Sequence, residues 1–527
     1  MEECKMVKPR KPLKLWEKKA RELEQENSPE PQAISDDLHT SSAILDDIFR
    51  DCADVGNRDF LIPLSAPRPA RLYLLKGMMD KDMINESVID PLTDPQRIRP
   101  ESEITDLISA HKLTPVEDFE QATKSILNGE ALLLVHGSAT AWAINTRAAQ
   151  TRGVDEPETQ SVVRGPRDGF IEDLETNIAL VRKRLKTPLL KSTIISIGTM
   201  SQTQIAVLHI DSVANPKVLD EVHARLDKID IDGIVDSGQL EQLIEDNAIT
   251  PFPQIANTER PDGAAAALLD GRVAIMTDNT PFVLIVPTVL TDMLQSSEDY
   301  YERFHFATAI RAMRYVLFAL ALLGPALYIA ITTFHHELIP TLLLIRLIGT
   351  RAGIPFPAIV EALMMELAFE ALREAGVRLP KPVGQAVSIV GALVIGQAAV
   401  QAGLVSPIMV IVVAGTGIAS FTVPGFNLAI SVRLLRFVFM LLAAGMGLYG
   451  INLGLSILLF HLVSLRSFGV PYLAPLAPIT IGDWKDMIIR APTWWLQARP
   501  TFVAKENIHR QKKGARSVQP PVEEKDE

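Results

Sequence analysis

Cysteine is nearly absent from this chain: Cys4 and Cys52 are the only two in 527 residues. That excludes a disulfide scaffold, and no Cys/His cluster has the spacing of a zinc site. The G-x-S-x-G, H-E-x-x-H and Walker-type signatures are missing, as is a dinucleotide fingerprint on a strand–helix turn. His335-His336-Glu337 is too compact to set two ligands on one helical face and reads as an interfacial loop. No catalytic residue, metal site, cofactor or nucleic-acid partner is expected, and the chain is not read as an enzyme. Met1 to Pro31 contains no apolar core, so no signal peptide is expected. Roughly the first 300 residues are therefore placed on the side of synthesis.

Acidic residues are scarce in one long block, and the exceptions are informative. Between about Met313 and Val463 the chain is apolar, yet FPAIVEALMMELAFEAL (356–372) carries Glu361, Glu366 and Glu370. A charge near a bilayer centre costs roughly 2.5–3.5 kcal/mol on insertion scales. Groups that costly face a bundle interior, a partner or a watery path. Glu366 and Glu370 are four apart and Arg373 follows Glu370 by three, so these share a helical face. Glu361 lies about 140° away around the helix. Two readings stay open: a helix along the membrane surface with its carboxylates in water, or a path through the membrane. On the second, Glu361 and Glu366 are the candidate cation path, and Glu370 pairs with Arg373.

The composition is that of a split protein, with mean hydropathy +0.17 and a formal charge of −11. Residues 1–37 form a polar tail, basic from Lys5 to Arg21, expected to be disordered. From Leu38 the pattern is globular. DFLIPL (59–64) and ARLYLLKG (70–77) read as strands, a helix follows Pro115, and NGEALLLVHGSATAWAIN (128–145) reads as two strands around Gly137-Ser138. The same arrangement returns in QIAVLHIDSVANPKVLDEV (204–222) and LDGRVAIMTDNTPFVLIV (269–286), with Gly271 matching Gly129. Two similar α/β subdomains, 38–160 and 188–300, account for this, with 161–187 as a connecting segment and helix. In that segment Arg164 and Arg167 flank turn glycines; they either bind an anion or clamp the subdomains, and the clamp is favoured.

Residues 301–470 are expected to form an α-helical polytopic membrane domain of about five helices. Met313–Phe334 is long enough to span, with a kink at Gly324-Pro325, and Arg303, Arg311 and Arg314 put its start on the cytoplasmic side. The stretch 338–349 is too short to span and contains Arg346. QAVSIVGALVIGQAAVQAGL (385–404), 407–430 and the 27-residue run 437–463 follow. Five crossings would leave the C-terminal tail outside, although Lys485 to Arg516 is basic; a re-entrant element between 338 and 372 restores a cytosolic tail, 471–527. Gly396 with Ala392, Ala443 with Gly447, and Gly450 with Gly454 are small pairs four apart that let helices approach. Gln397, Asn427 and Asn452 are read as interhelical hydrogen-bonding groups.

Four runs carry a resemblance: VRGPRDGF, the stretch 353–407 beginning GIPFPAIVEALMMELAFEALREAGVRLPKPVG, SFTVPGFNLAISVRLLRF, and SLRSFGVPYLAP (464–475). Over about residues 38–515 the chain resembles the A subunit of GerA-family spore germinant receptors, with the stage V sporulation protein AF as a close relative. The resemblance implies an α+β cytosolic N-terminal region of two α/β subdomains before the membrane domain. It also implies a place in the inner membrane of the bacterial endospore. Its implied partners are a transporter-like B subunit that binds the nutrient, a lipoprotein C subunit and further copies of the chain, besides membrane lipid. The implied function is a ligand-gated cation channel that starts germination; alternatives are a non-conducting scaffold subunit and an AF-type channel. The family supplies no catalytic residues to carry over.

Overall fold

The computed structural model describes residues 32–64, 66–95, 98, 104–108, 113–146, 156–157, 159–379, 395–504 and 507–511. The basic tail up to residue 31 and the first half of the helix expected at 385–404 lie outside them. The chain divides into two compact units, one of Met1–Thr151 with Lys186–Pro188, the other of Arg152–Leu185 with Leu189–Glu527.

In the first unit, Asp37 caps α1 (Leu38–Ile48) by accepting from the His39 and Thr40 amides. A five-stranded antiparallel sheet follows, built from β1 (Val55–Ile62), β2 (Arg68–Leu75), β3 (Leu113–Val116), β4 (Ala131–Val135) and β5 (Ala141–Ile144), in the order β1-β2-β4-β5-β3. α2 (Phe119–Leu127) starts at the Asp118 cap. With α1 it covers one face through Leu45, Phe119 and Ile126. Ile84, Val88 and Leu92 cover the other. The central strand β4, ALLLV, is buried at every position, which is why it reads as a continuous apolar run.

The second unit repeats this design. α3 (Leu174–Arg184) precedes β6 (Leu190–Ile197) and β7 (Thr203–Ile210), then α4 (Pro216–Leu226), α5 (Ser237–Ile244), β8 (Ala256–Thr258), α6 (Pro261–Leu269), β9 (Val273–Thr277) and β10 (Val283–Val286). The strand order β6-β7-β9-β10-β8 is that of the first sheet, position for position. α3 and α6 bury Ile178, Val181 and Leu268 against one face. Val218 and Val222 of α4 and Leu240 of α5 fill the other. The helix of the segment 161–187 thus belongs to the second core. Gly129 and Gly271 occupy the same place after α2 and α6, with φ of 81° and 94°. Each amide closes the helix end, onto Ile126 and Leu268 respectively.

The helices follow in the same unit: α7 (Phe304–Thr333), α8 (Thr341–Arg351), α9 (Ala358–Arg378), α10 (Pro407–Phe421) and α11 (Phe426–Ser464). Among the described residues two helices, α7 and α11, are long and apolar enough to cross a membrane. α7 passes through Pro325, which lacks an N–H and so frees the Ala321 carbonyl one turn back.

The apolar run 437–463, expected as one tilted span, is not straight. Gly447 interrupts α11 with φ 61° and ψ −139°, a conformation open to glycine alone. A straight helix would separate Ser431 from His461 by about 45 Å. Instead the Ser431 hydroxyl donates to the Pro251 carbonyl, and His461 Nε2 lies 2.7 Å from Thr250 Oγ1. Gly454 faces Phe439 and Leu442, and a Cβ on Gly450 would strike the Leu442 carbonyl. α11 is therefore a helical hairpin with arms of about 30 and 25 Å. Its far turn rests on Phe334 and His335, beyond the end of α7.

Both arms start and finish against the second α/β subdomain, and the chain continues there. Phe468 joins that subdomain's core. Ser467 Oγ donates to the Gln254 carbonyl at 2.7 Å and accepts from the Thr288 amide at 3.0 Å. The stretch read as a basic tail from 471 onward has Tyr472, Val503 and Ala504 buried.

Candidate functional site

α9 is composed of strong helix formers, AIVEALMMELAFEALREAGVR, and begins after Pro357. Of its four glutamates, Glu374 pairs with Arg378 of the same helix at 2.7 Å, and the other three reach across to different neighbours. Glu361 is fully buried: Oε1 accepts from Arg351 Nη2 of α8 at 3.1 Å, and Oε2 accepts from the Ser406 amide, just before α10, at 2.9 Å. Glu366, also fully buried, accepts from Arg436 Nη1 of α11 at 2.7 Å and lies 3.3 Å from Thr416 Oγ1 of α10. Glu370 pairs with Arg373 at 2.9 Å and with Arg433 of α11 at 3.3 Å. The result is a ladder of three carboxylate–arginine rungs along one helix, tying α9 to α8, α10 and α11.

The middle rung shows why these residue types are needed. Arg436 Nε donates to the Ala321 carbonyl at 2.8 Å, the acceptor that Pro325 leaves without its helical partner. One guanidinium thus satisfies a freed backbone group of α7 and a buried carboxylate of α9. Close packing brings them into range: a Cβ on Gly324 would meet Thr416 Cγ2 at 2.6 Å, and one on Gly417 would meet the Phe369 ring at 2.5 Å. Arg436 Nη2 and Arg351 Nε are buried without a hydrogen-bond partner among the described residues, so the ladder retains unused donors. Removing one member of such a buried pair costs about 3–5 kcal/mol, because the other charge is left uncompensated.

A second cluster sits at the foot of α7. The Asp299 carboxylate accepts from Arg311 Nε at 2.9 Å and from Arg314 Nη1 at 2.9 Å. Arg311 Nη1 reaches Asp486 Oδ1 at 2.8 Å. Burial alone would raise the Asp299 pKa, but the two guanidiniums outweigh it and hold the carboxyl below the usual range. Arg311 and Arg314, read from sequence as orientation signals, are thus also the rivets between α7, the segment before it and the C-terminal segment.

The remaining sequence candidates are scattered. A Cβ on Gly396 would lie 3.5 Å from Val410 Cγ1, while Gln397 and Asn452 are exposed. Asn427 hydrogen-bonds Glu241 of α5; burial, then the nearby Glu245 and Asp236 carboxylates, push the Glu241 pKa up to about 7. Arg164 is exposed, and Arg167 lies 3.6 Å from Glu156. The work of fixing the 156–168 segment falls to Arg260, which donates to the Gln160 and Pro166 carbonyls, and to Arg184, which binds Asp168 at 2.6 Å. The partners Arg351, Thr416 and Arg436 were not legible as such. The one local hint was that arginines inside an apolar block need counter-charges as much as glutamates do.

A sequence model of the family described as Bacillus/Clostridium GerA spore germination protein matches residues 43–502. Spore germination protein KA of Bacillus subtilis (strain 168) is 49% identical over 448 residues, 84% of this chain and 82% of that protein. The uncharacterized membrane protein YfkQ of the same organism is 46% identical over 457 residues, 86% of this chain and 88% of its own length. The crystal structure of the N-terminal domain of the A subunit of the Bacillus megaterium spore germinant receptor GerK3 aligns with 50% of this chain and 98% of its own, at 30% identity and a TM-score of 0.40.

Proposed function

We propose that this chain, which belongs to the GerA family of spore germination proteins, is the A subunit of a nutrient germinant receptor in the spore inner membrane. In this reading it assembles with further copies of itself, a nutrient-binding B subunit and a lipoprotein C subunit, and conducts monovalent cations when the nutrient binds. α7 and both arms of the α11 hairpin cross the bilayer. The second α/β subdomain and the C-terminal segment then lie on the cytosolic side, because both arms end on that subdomain.

The observation that carries the reading is the ladder on α9. Glu361 and Glu366 are buried among apolar helices, where a carboxylate is costly unless it serves a path or a partner. In the state described here arginine neutralises each of them. Carboxylates beside a pore attract cations, and opening exposes them when a rung parts. Nutrient binding supplies the bias through its difference in affinity between the closed and open states.

A scaffold reading is favoured by the same geometry: every glutamate of the ladder is matched within one chain, as a purely structural network requires. Liposomes separate the two. The full-length protein, reconstituted alone and with its receptor partners, is loaded against a potassium gradient. Nutrient-dependent potassium flux supports the channel. Assembly of the receptor with no flux, at any nutrient concentration, leaves the scaffold.

A further inference from the structure

The C-terminal segment from Ile479 to Trp495 exposes large apolar side chains that no regular element explains. Ile481 is 76% exposed, Ile479 69%, Ile489 61% and Trp495 59%, with Trp484 and Trp494 also open. Yet the segment is firmly pinned. The Asp486 carbonyl accepts from Gln295 Nε2 at 2.7 Å, and its carboxylate accepts from Arg311 and from the Tyr300 hydroxyl at 2.7 Å. The Arg490 amide donates to Thr308 Oγ1 at 3.1 Å, and the Trp494 ring meets Phe304 edge-on at 6.0 Å. These anchors all lie within or just before the first turns of α7. The apolar side chains are thus held outward around the foot of that helix.

We infer that Ile479–Trp495 is a membrane-interface collar that seats in the headgroup–acyl boundary of a phospholipid bilayer around the entry of α7. Tryptophan is enriched at that depth because its ring is apolar and its N–H is polar. Lys485 sits 5.9 Å over the Trp495 ring, which places a cation among the indoles at the level of the phosphates. Three tryptophans with a lysine among them, at the start of a helix long and apolar enough to cross a membrane, favour lipid over a protein partner. The collar gives Asp486 a mechanical role: a change at the interface reaches Arg311 and Asp299 directly.

The inference rests on the reading that α7 crosses a bilayer, and its test keeps the two apart. The full-length protein is reconstituted into vesicles of phosphatidylcholine and phosphatidylglycerol, with and without lipids brominated near the headgroup. Three of the five tryptophans lie in the collar. Emission is expected to be quenched by a share approaching three fifths, and Trp484→Phe/Trp494→Phe/Trp495→Phe is expected to abolish that quenching. All three positions are exposed, so the triple variant keeps its core. Equal quenching in wild type and triple variant, or none in either, overturns the collar. Val316→Trp, added to the triple variant and read with bromines deep in the acyl chains, reports on α7. If it is quenched while the collar is not, a protein partner covers the collar and the span stands. If neither is quenched, the span fails as well.

Discussion

The turns that follow α2 and α6 share one backbone and differ in charge. Asn128-Gly129-Glu130 closes the first copy and Asp270-Gly271-Arg272 the second. In the first copy Asn128 Oδ1 accepts from the exposed Lys186 at 2.9 Å. In the second, Arg272 binds Asp292 through both terminal nitrogens, at 2.5 and 2.8 Å, and Asp270 pairs with Arg510 at 2.9 Å. Asp292 lies in the segment leading to α7, and Arg510 in the C-terminal segment. A Cβ on Gly271 would meet the Val213 carbonyl at 2.9 Å and Ala504 at 3.4 Å. The two copies thus share a backbone, and the charged groups of the second grip the helical region's two ends. The second copy is the mount of the helices.

The largest break in this comparison is expected from Arg272→Met. It strands the Asp292 carboxylate and should cost about 3 kcal/mol, the low end for breaking a buried pair. Hydrogen exchange in the full chain reads this locally: β9 and β10 amides lose protection while β4 and β5 amides keep theirs. Gly129→Ala and Gly271→Ala force a side chain into a positive φ and should each cost about 1–3 kcal/mol, each confined to its own unit. Loss of protection spreading across both units would contradict two independent cores.

Glu241 sharpens the comparison through pH. Its folded pKa, about 7, lies above its ordinary 4.5, so the folded state holds the proton more tightly. The stability it contributes is complete below pH 4.5 and is lost as pH rises through 7. Glu241→Gln should flatten that slope for α5 and the start of α11, and leave the first unit unchanged. The smallest effect belongs to Lys186→Ala, which removes an exposed contact of the first copy and should stay within about 0.5 kcal/mol.

Much of the duplication was legible. The buried strands ALLLV and VAIMT are runs of strand length, apolar but for the closing Thr277, each preceded by a helix and a glycine. β6 was not read, because as an edge strand its burial alternates and it carries the polar run Lys191, Ser192 and Thr193. The α11 hairpin was hidden for a different reason. Gly445, Gly447 and Gly450 look alike as small packing residues, and only the backbone angle at Gly447 turns the chain. The ladder was half legible: costly glutamates announce themselves, but Glu361 meets Arg351 and Glu366 meets Arg436 only after five helices have packed.

The central claim is that the α9 carboxylates belong to a cation path that arginine keeps shut, and the ion selectivity of Glu366→Gln tests it most directly. The amide keeps the volume and a hydrogen bond to Arg436 but removes the charge. In reconstituted receptor, nutrient-evoked current through the variant is expected to lose preference for potassium over chloride. An unchanged permeability ratio at wild-type conductance would contradict the claim and return Glu366 to a purely structural role.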